Sequence, residues 1–225
     1  LIVSGESVFD GLNINSLGKS EFGCDYIECE IDEICTPFLS YSVANKVKCD
    51  GEVLATVHEP YFSRTGRHFC GHANTPFKME QAEYPALVKC GNVMYFAHPV
   101  FSAYNKSGNY ILQKFIKKGF DAIYNKGLKV DGLASCGRVR MRKSSSESFY
   151  ALHLLYAPPV NRGNVCLLED FPRIDGIKVS VNIPEKVKSV VAQPTNETIS
   201  FVQNGEKLSF EVNNLQTHKL IVINY

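Results

Sequence analysis

Phe149-Tyr150-Ala151-Leu152-His153-Leu154-Leu155-Tyr156 alternates around aromatic and aliphatic side chains and stops at Pro158-Pro159. A period of two with a proline stop is the pattern of a β-strand. The stretch decides the fold of the C-terminal region because the downstream runs repeat its pattern. Ile177-Lys178-Val179-Ser180-Val181-Asn182-Ile183, Val187-Lys188-Ser189-Val190-Val191, Thr198-Ile199-Ser200-Phe201-Val202 and Leu208-Ser209-Phe210-Glu211-Val212 all alternate, and Lys219-Leu220-Ile221-Val222-Ile223 closes the chain. Asn204-Gly205 between two of these runs is the strongest short-range hairpin signal. Residues 134–225 are therefore expected to form an antiparallel β-sandwich.

Working upstream, the period changes. Between Asn109 and Asn125, Leu112, Phe115, Ile116, Phe120 and Ile123 recur at helical spacing, while Lys114, Lys117, Lys118 and Asp121 occupy the other face. This predicts a helix covering a sheet, stopped by Asn125 and Gly127, and a region boundary at about residue 133. Before it, Ala86-Leu87-Val88-Lys89-Cys90 and Val93-Met94-Tyr95-Phe96 flank Gly91-Asn92 as a hairpin. Val53-Leu54-Ala55-Thr56-Val57 reads as a strand, and Tyr26-Ile27-Glu28-Cys29-Glu30-Ile31 as an edge strand. Arg138-Val139-Arg140-Met141-Arg142 is a basic alternating strand, expected to face solvent. Leu1-Ile2-Val3 reads as a buried strand, and because a domain rarely begins in mid-core, the chain is expected to be a piece of a longer polypeptide.

Composition removes several function classes. The 225 residues are 44% hydrophobic with a net charge of +1, so nothing pulls the chain toward nucleic acid or a membrane surface. No apolar run approaches the ~20 residues that span a bilayer. A cytoplasmic protein is expected. The eight cysteines include no Cys-x-x-Cys pair, and a chain this long builds its own core, so reduced thiols are expected, with no metal and no cofactor.

Several segments resemble the C-terminal part of glycoside hydrolases of the β-galactosidase type. In the β-region they are Leu152-His153-Leu154-Leu155-Tyr156, Glu169-Asp170 with Pro172, Val179-Ser180-Val181, and Leu215-Gln216-Thr217-His218-Lys219-Leu220-Ile221-Val222. Further upstream, Glu59-Pro60-Tyr61-Phe62, Arg64-Thr65, His68-Phe69, His72, Tyr84-Pro85-Ala86-Leu87-Val88, Gly91-Asn92-Val93-Met94-Tyr95-Phe96 and His98-Pro99-Val100-Phe101 are similar to that family's trimerisation domain. The resemblance implies a partial flavodoxin-like or glutamine-amidotransferase-like α/β domain over 1–133, followed by the β-sandwich over 134–225. It also implies a homo-oligomer and a catalytic barrel on the same polypeptide, acting on β-galactosides or related glycosides.

The residues themselves argue against catalysis by this chain. A glycosidase holds two carboxyl groups ~5–10 Å apart on a rigid scaffold, and the (β/α)₈ barrel that would do so takes ~250 residues. Glu59, Glu169 and Asp170 are the acids a simple scan selects, and Glu169-Asp170 falls between strands, where a turn role is expected. An amidotransferase-like nucleophile elbow would need a Cys near Ser4-Gly5-Glu6-Ser7, but Ser7 is followed by Val8-Phe9 and no Cys stands there.

The one polar concentration is the long loop at 59–83, and loops of that length usually carry function or an interface. Arg64, His68 and His72, with Tyr61 and His98, are the candidates for contact with substrate or a neighbouring subunit, and Tyr61 and Phe62 are positioned to anchor the loop. Where the loop meets substrate, that substrate is expected to be a carbohydrate; where it meets a subunit, it is an interface. His68-x-Cys70-x-His72 lacks the spacing of structural zinc sites. The leading expectation is a non-catalytic oligomerisation and support region of a glycoside hydrolase. The alternatives are an autonomous Cys/His-based or metal-dependent hydrolase, and a carbohydrate-binding module, the last weakened by the absence of Trp.

Overall fold

The computed structural model describes residues 1–5, 14–31, 34–63, 75–124 and 127–225. These are mostly β, with nineteen strands and two helices among the described residues, and they divide into two compact units, Leu1–Asn125 and Lys126–Tyr225.

The first unit contains β1 (Ile2–Ser4), β2 (Ile14–Lys19), β3 (Asp25–Cys29), β4 (Phe38–Ser40), β5 (Asn45–Cys49), β6 (Glu52–His58), β7 (Pro85–Cys90) and β8 (Val93–Phe96), then α1 (Val100–Ser107) and α2 (Tyr110–Ile123). Six strands form one sheet in the order β1-β8-β7-β6-β3-β4, and β2 pairs with β5. Among these described pairs only β1 and β8 run parallel; the others are antiparallel. The expected flavodoxin-like arrangement requires parallel strands joined by long crossovers. Here β7 and β8 are joined by the predicted Gly91-Asn92 turn, which enforces antiparallel pairing.

The predicted helix is α2. Asn109 caps it by accepting from the backbone N–H groups of Ile111 and Leu112, satisfying donors that the first turn leaves free. Leu112, Phe115 and Gly119 face the core, where the Phe115 ring meets Phe96 at 5.2 Å and Phe38 at 5.4 Å, edge to face. Three expectations change. The strand at Tyr26 is internal, between β6 and β4, rather than at an edge. β1 lies at the sheet edge and is half-buried rather than buried. Helix α1 carries little sequence signal: Pro99 precedes it without a side-chain cap, and Val100 alone is buried.

The second unit contains β9 (Leu128–Asp131), β10 (Arg138–Lys143), β11 (Phe149–Leu155), β12 (Val160–Arg162), β13 (Val165–Leu167), β14 (Ile177–Asn182), β15 (Ser189–Gln193), β16 (Glu197–Thr198), β17 (Phe201–Asn204), β18 (Lys207–Val212) and β19 (His218–Asn224). A five-stranded sheet, β10-β11-β19-β15-β16, and a four-stranded sheet, β17-β18-β14-β9, contribute to one core. Leu152, Leu154, Ile221 and Ile223 come from the first sheet, and Val179, Val181, Leu208 and Phe210 from the second. This is a β-sandwich.

β9, which sequence patterning assigns to the first region, is hydrogen-bonded along β14 in the second unit. The run at 198–202 breaks into β16 and β17, and the hairpin loop is Gly205-Glu206, with Gly205 at φ 60°. Glycine adopts that backbone without the Cβ clash other residues suffer. Glu169 accepts two hydrogen bonds from Arg162 at the β12–β13 hairpin, giving it a local structural role.

Gly119 gives the fold a sharp test. Mid-helix, alanine should be favoured over glycine by about 1 kcal/mol. A Cβ at this position, however, would lie 2.5 Å from the Phe96 ring, which is fully buried and braced by Phe101 and Phe115. Overpacking dominates, so Gly119→Ala is expected to destabilise the chain by about 1–3 kcal/mol. Urea denaturation reads the sign directly; a stabilised variant would show that α2 does not press on Phe96.

Candidate functional site

Strand β3 supplies the site because its two faces carry different chemistry. Asp25, Ile27 and Cys29 point inward and are buried, while Tyr26 is half-buried and Glu28 exposed on the other face. An aspartate at a core-facing position must find partners. Asp25 has two: the Nε2 of His98 lies 3.0 Å from Oδ2, and the Tyr84 hydroxyl donates to Oδ1 at 3.4 Å. The side chains of both Asp25 and His98 are completely buried. Burial, reinforced by the Asp25 and Glu59 carboxylates, pushes the Tyr84 phenol far above its ordinary range, so it stays protonated and donates. Nδ1 of His98 is buried and has no hydrogen-bond partner among the described residues.

The outer face of β3 builds the stem of the long loop. Tyr26 pairs across the sheet with His58, and Glu28 with Thr56. The Tyr26 hydroxyl donates to the Thr75 carbonyl at 2.6 Å. His58 places Nδ1 3.0 Å from the Lys78 carbonyl and Nε2 2.9 Å from Glu28 Oε2. Gln81 donates to the same carboxylate oxygen at 3.1 Å. The His58 and Gln81 hydrogen bonds hold the Glu28 carboxyl below its ordinary value. Phe77 packs against both Tyr26 and His58, and backbone bonds from Tyr61 to Pro76 and from Lys78 to Glu59 close the stem.

Beside the stem lies a cavity of about 400 Å³ lined by Lys46, Glu59, Lys78, Gln81, Tyr84 and Leu17, among others. Glu59 accepts from Lys46 at 3.4 Å and from Lys78 at 3.2 Å, and the Lys46 ammonium sits 5.1 Å from the centre of the Tyr84 ring. The lining offers ammonium and amide donors and carboxylate acceptors, without a Cys or Ser nucleophile. It suits hydrogen bonding to a polar ligand or to another protein surface. Among the described residues, no group of three or more His, Cys, Asp and Glu side chains is arranged to hold a metal.

Of the sequence candidates, Arg64, His68 and His72 lie outside the described residues. Tyr61 is on the stem and 56% exposed. His98 is inside the first unit, bound to Asp25, so its imidazole does not face the cavity. Sequence reasoning does not single out Asp25, Tyr84, Lys46 or Lys78. Asp25 has a visible signal all the same, a carboxylate in phase with Ile27 and Cys29 on the buried face of an alternating strand.

Removing one partner of a buried hydrogen bond leaves the other unsatisfied. His98→Ala is therefore expected to cost about 1–3 kcal/mol of stability, measured by urea denaturation; an unchanged midpoint would show that Asp25 needs no partner. Glu28 gives a pH signature. Its folded pKa is depressed, so its contribution is present above the unfolded carboxylate value of about 4.3 and is lost as pH falls through the lower folded value. Glu28→Gln should flatten that part of the acid limb in unfolding curves taken across pH.

Comparison with known proteins bears on the whole chain. No family model matches it, and no curated protein does. Among solved structures, α-L-fucosidase isoenzyme 2 from Paenibacillus thiaminolyticus is similar over 100% of this chain, with 26% identity and a TM-score of 0.90. The chain spans 36% of that protein's length. The similarity is thus to a region of a glycoside hydrolase, and it does not single out the β-galactosidase type that the sequence motifs suggested.

Proposed function

We propose that this chain is a non-catalytic oligomerisation and support region of a glycoside hydrolase, serving a catalytic barrel on the same polypeptide. The observation that carries the reading is the end-to-end similarity to about a third of an α-L-fucosidase. The described sheets add support, since they have six, five, four and two strands and none closes a parallel barrel. The first unit is read as the last part of a glutamine-amidotransferase-like α/β domain, with the β1–β8 parallel pair as its remnant. The parent enzyme is read as cytoplasmic and homo-oligomeric, cleaving α-fucosides or β-galactosides. Among the described residues, no helix is long and apolar enough to cross a membrane.

The loop at 58–77 is assigned to the parent's active-site rim or to the subunit contact beside it. The pinned stem and the exposed Tyr61 support that assignment, because binding residues are commonly carried on loops held by rigid scaffolds. Its chemistry is that of positioning, through hydrogen bonds.

Two measurements test this reading. The purified chain is expected to hydrolyse neither an aryl α-L-fucoside nor an aryl β-D-galactoside above a blank preparation; turnover would establish it as an enzyme in its own right. In the full-length enzyme, Arg64→Ala and His72→Ala are each expected to lower kcat/KM roughly ten- to a hundredfold, the cost of one hydrogen bond to a polar group, or to dissociate the oligomer. Wild-type kcat/KM together with wild-type oligomeric mass would leave the loop merely structural.

A further inference from the structure

We propose that the outer face of the four-stranded sheet in the second unit is a binding trough for a neutral oligosaccharide. The period of two along β14 and β18 sends Val179, Val181, Leu208 and Phe210 into the core. It leaves Ser180 and Ser209 on the opposite face. Register then builds the trough. Ser180 stands opposite Ser209 across β14 and β18, Lys129 of β9 flanks Ser180, and Val202 of β17 flanks Ser209. Two short side chains in the middle of a row with bulkier ones at its ends leave a depression, and its volume is about 560 Å³. That lies within the ~300–1,000 Å³ range of ligand sites.

The lining determines the class of ligand. A second row reads Asp131, Lys178, Glu211 across β9, β14 and β18, so acceptors and a donor alternate at the strand spacing of ~4.8 Å; Lys129 joins the two rows through its ion pair with Asp131 at 2.9 Å, and Lys207 also lines the trough. Among the described residues, neither Ser180 nor Ser209 commits its hydroxyl to another protein group. A sugar hydroxyl both donates and accepts and can use ammonium, carboxylate and serine groups together. The two carboxylates of the lining, Asp131 and Glu211, offset two of its three ammonium groups, Lys129, Lys178 and Lys207, so the trough is close to neutral and suits an uncharged ligand. Val202, 60% exposed, adds an apolar ledge for the C–H face of a pyranose. The groups stand on strands rather than on loops, so their spacing is fixed before any ligand arrives. The inference rests on this trough alone and holds whether or not the first unit serves a catalytic barrel.

The test is an amide-resolved NMR titration of the whole chain with 2′-fucosyllactose and with a β-linked galactotriose. At millimolar ligand, saturable shifts are expected at Ser180, Ser209, Lys129 and their neighbours. Ser180→Leu combined with Ser209→Leu fills the trough from the solvent side and should weaken binding at least about tenfold, the loss of one or two hydrogen bonds, with an unchanged Tm. Should that variant fail to fold, Lys178→Ala and Glu211→Gln, both exposed, should weaken binding in the same way. The absence of saturable shifts with both sugars, shifts centred elsewhere, undiminished affinity in the folded variants, or stronger binding of polygalacturonate than of the neutral sugars would each overturn the proposal.

Discussion

The first unit is organised by one buried carboxylate. Asp25 is wholly removed from water, and an ion in that position costs several kcal/mol unless its oxygens are met by donors. The donors come from distant parts of the chain: His98 follows β8, and Tyr84 immediately precedes β7. The pairing therefore ties an inner strand of the sheet to both ends of the β7–β8 hairpin. The net gain of such buried hydrogen bonds is small, because each partner gives up water to make them. Their stronger effect is geometric, since a displaced β3 would leave buried polar atoms unmet.

The same strand fixes the base of the long loop through its opposite face. Tyr26 holds the Thr75 carbonyl, and Glu28 collects His58 and Gln81. The alternation of a β-strand thus lets five residues serve two purposes, locking the core on one side and anchoring a surface segment on the other. The charged cavity beside the stem is supported from below by Tyr84, which touches both Asp25 and Lys46. Core and surface are coupled through one phenol.

In the second unit, the constraint is the pairing of two sheets around a continuous apolar core. Once inward positions are fixed, every outward residue is fixed too, because a slip of one residue would exchange the faces. The trough is a product of that register. The chemistry on its floor and walls is set by sequence, but the hollow exists because three independent pairings align two serines between Lys129 and Val202. Fold alone does not dictate function; the side chains that line each cavity set what it can do.

Local pattern was enough to place β11, β14, β18, β19, the β7–β8 hairpin and α2, because each offsets its conformational cost with a periodic apolar face. The sequence also carried the resemblance to a glycoside hydrolase region. It did not reveal α1, whose helix has a single buried residue and no side-chain cap. Nor did it show that β3 is internal, since one strand's pattern does not report its neighbours. The 58–77 loop was legible as a long polar segment, but its anchoring by Tyr26, Glu28 and Phe77 was not, nor was the meeting of Asp25 with His98. Those contacts join residues tens of positions apart, and no local period encodes them. Sequence determined which side chains face inward and which outward; only tertiary structure decided which of them meet, because hydrogen-bond partners and cavities arise from strand order and register.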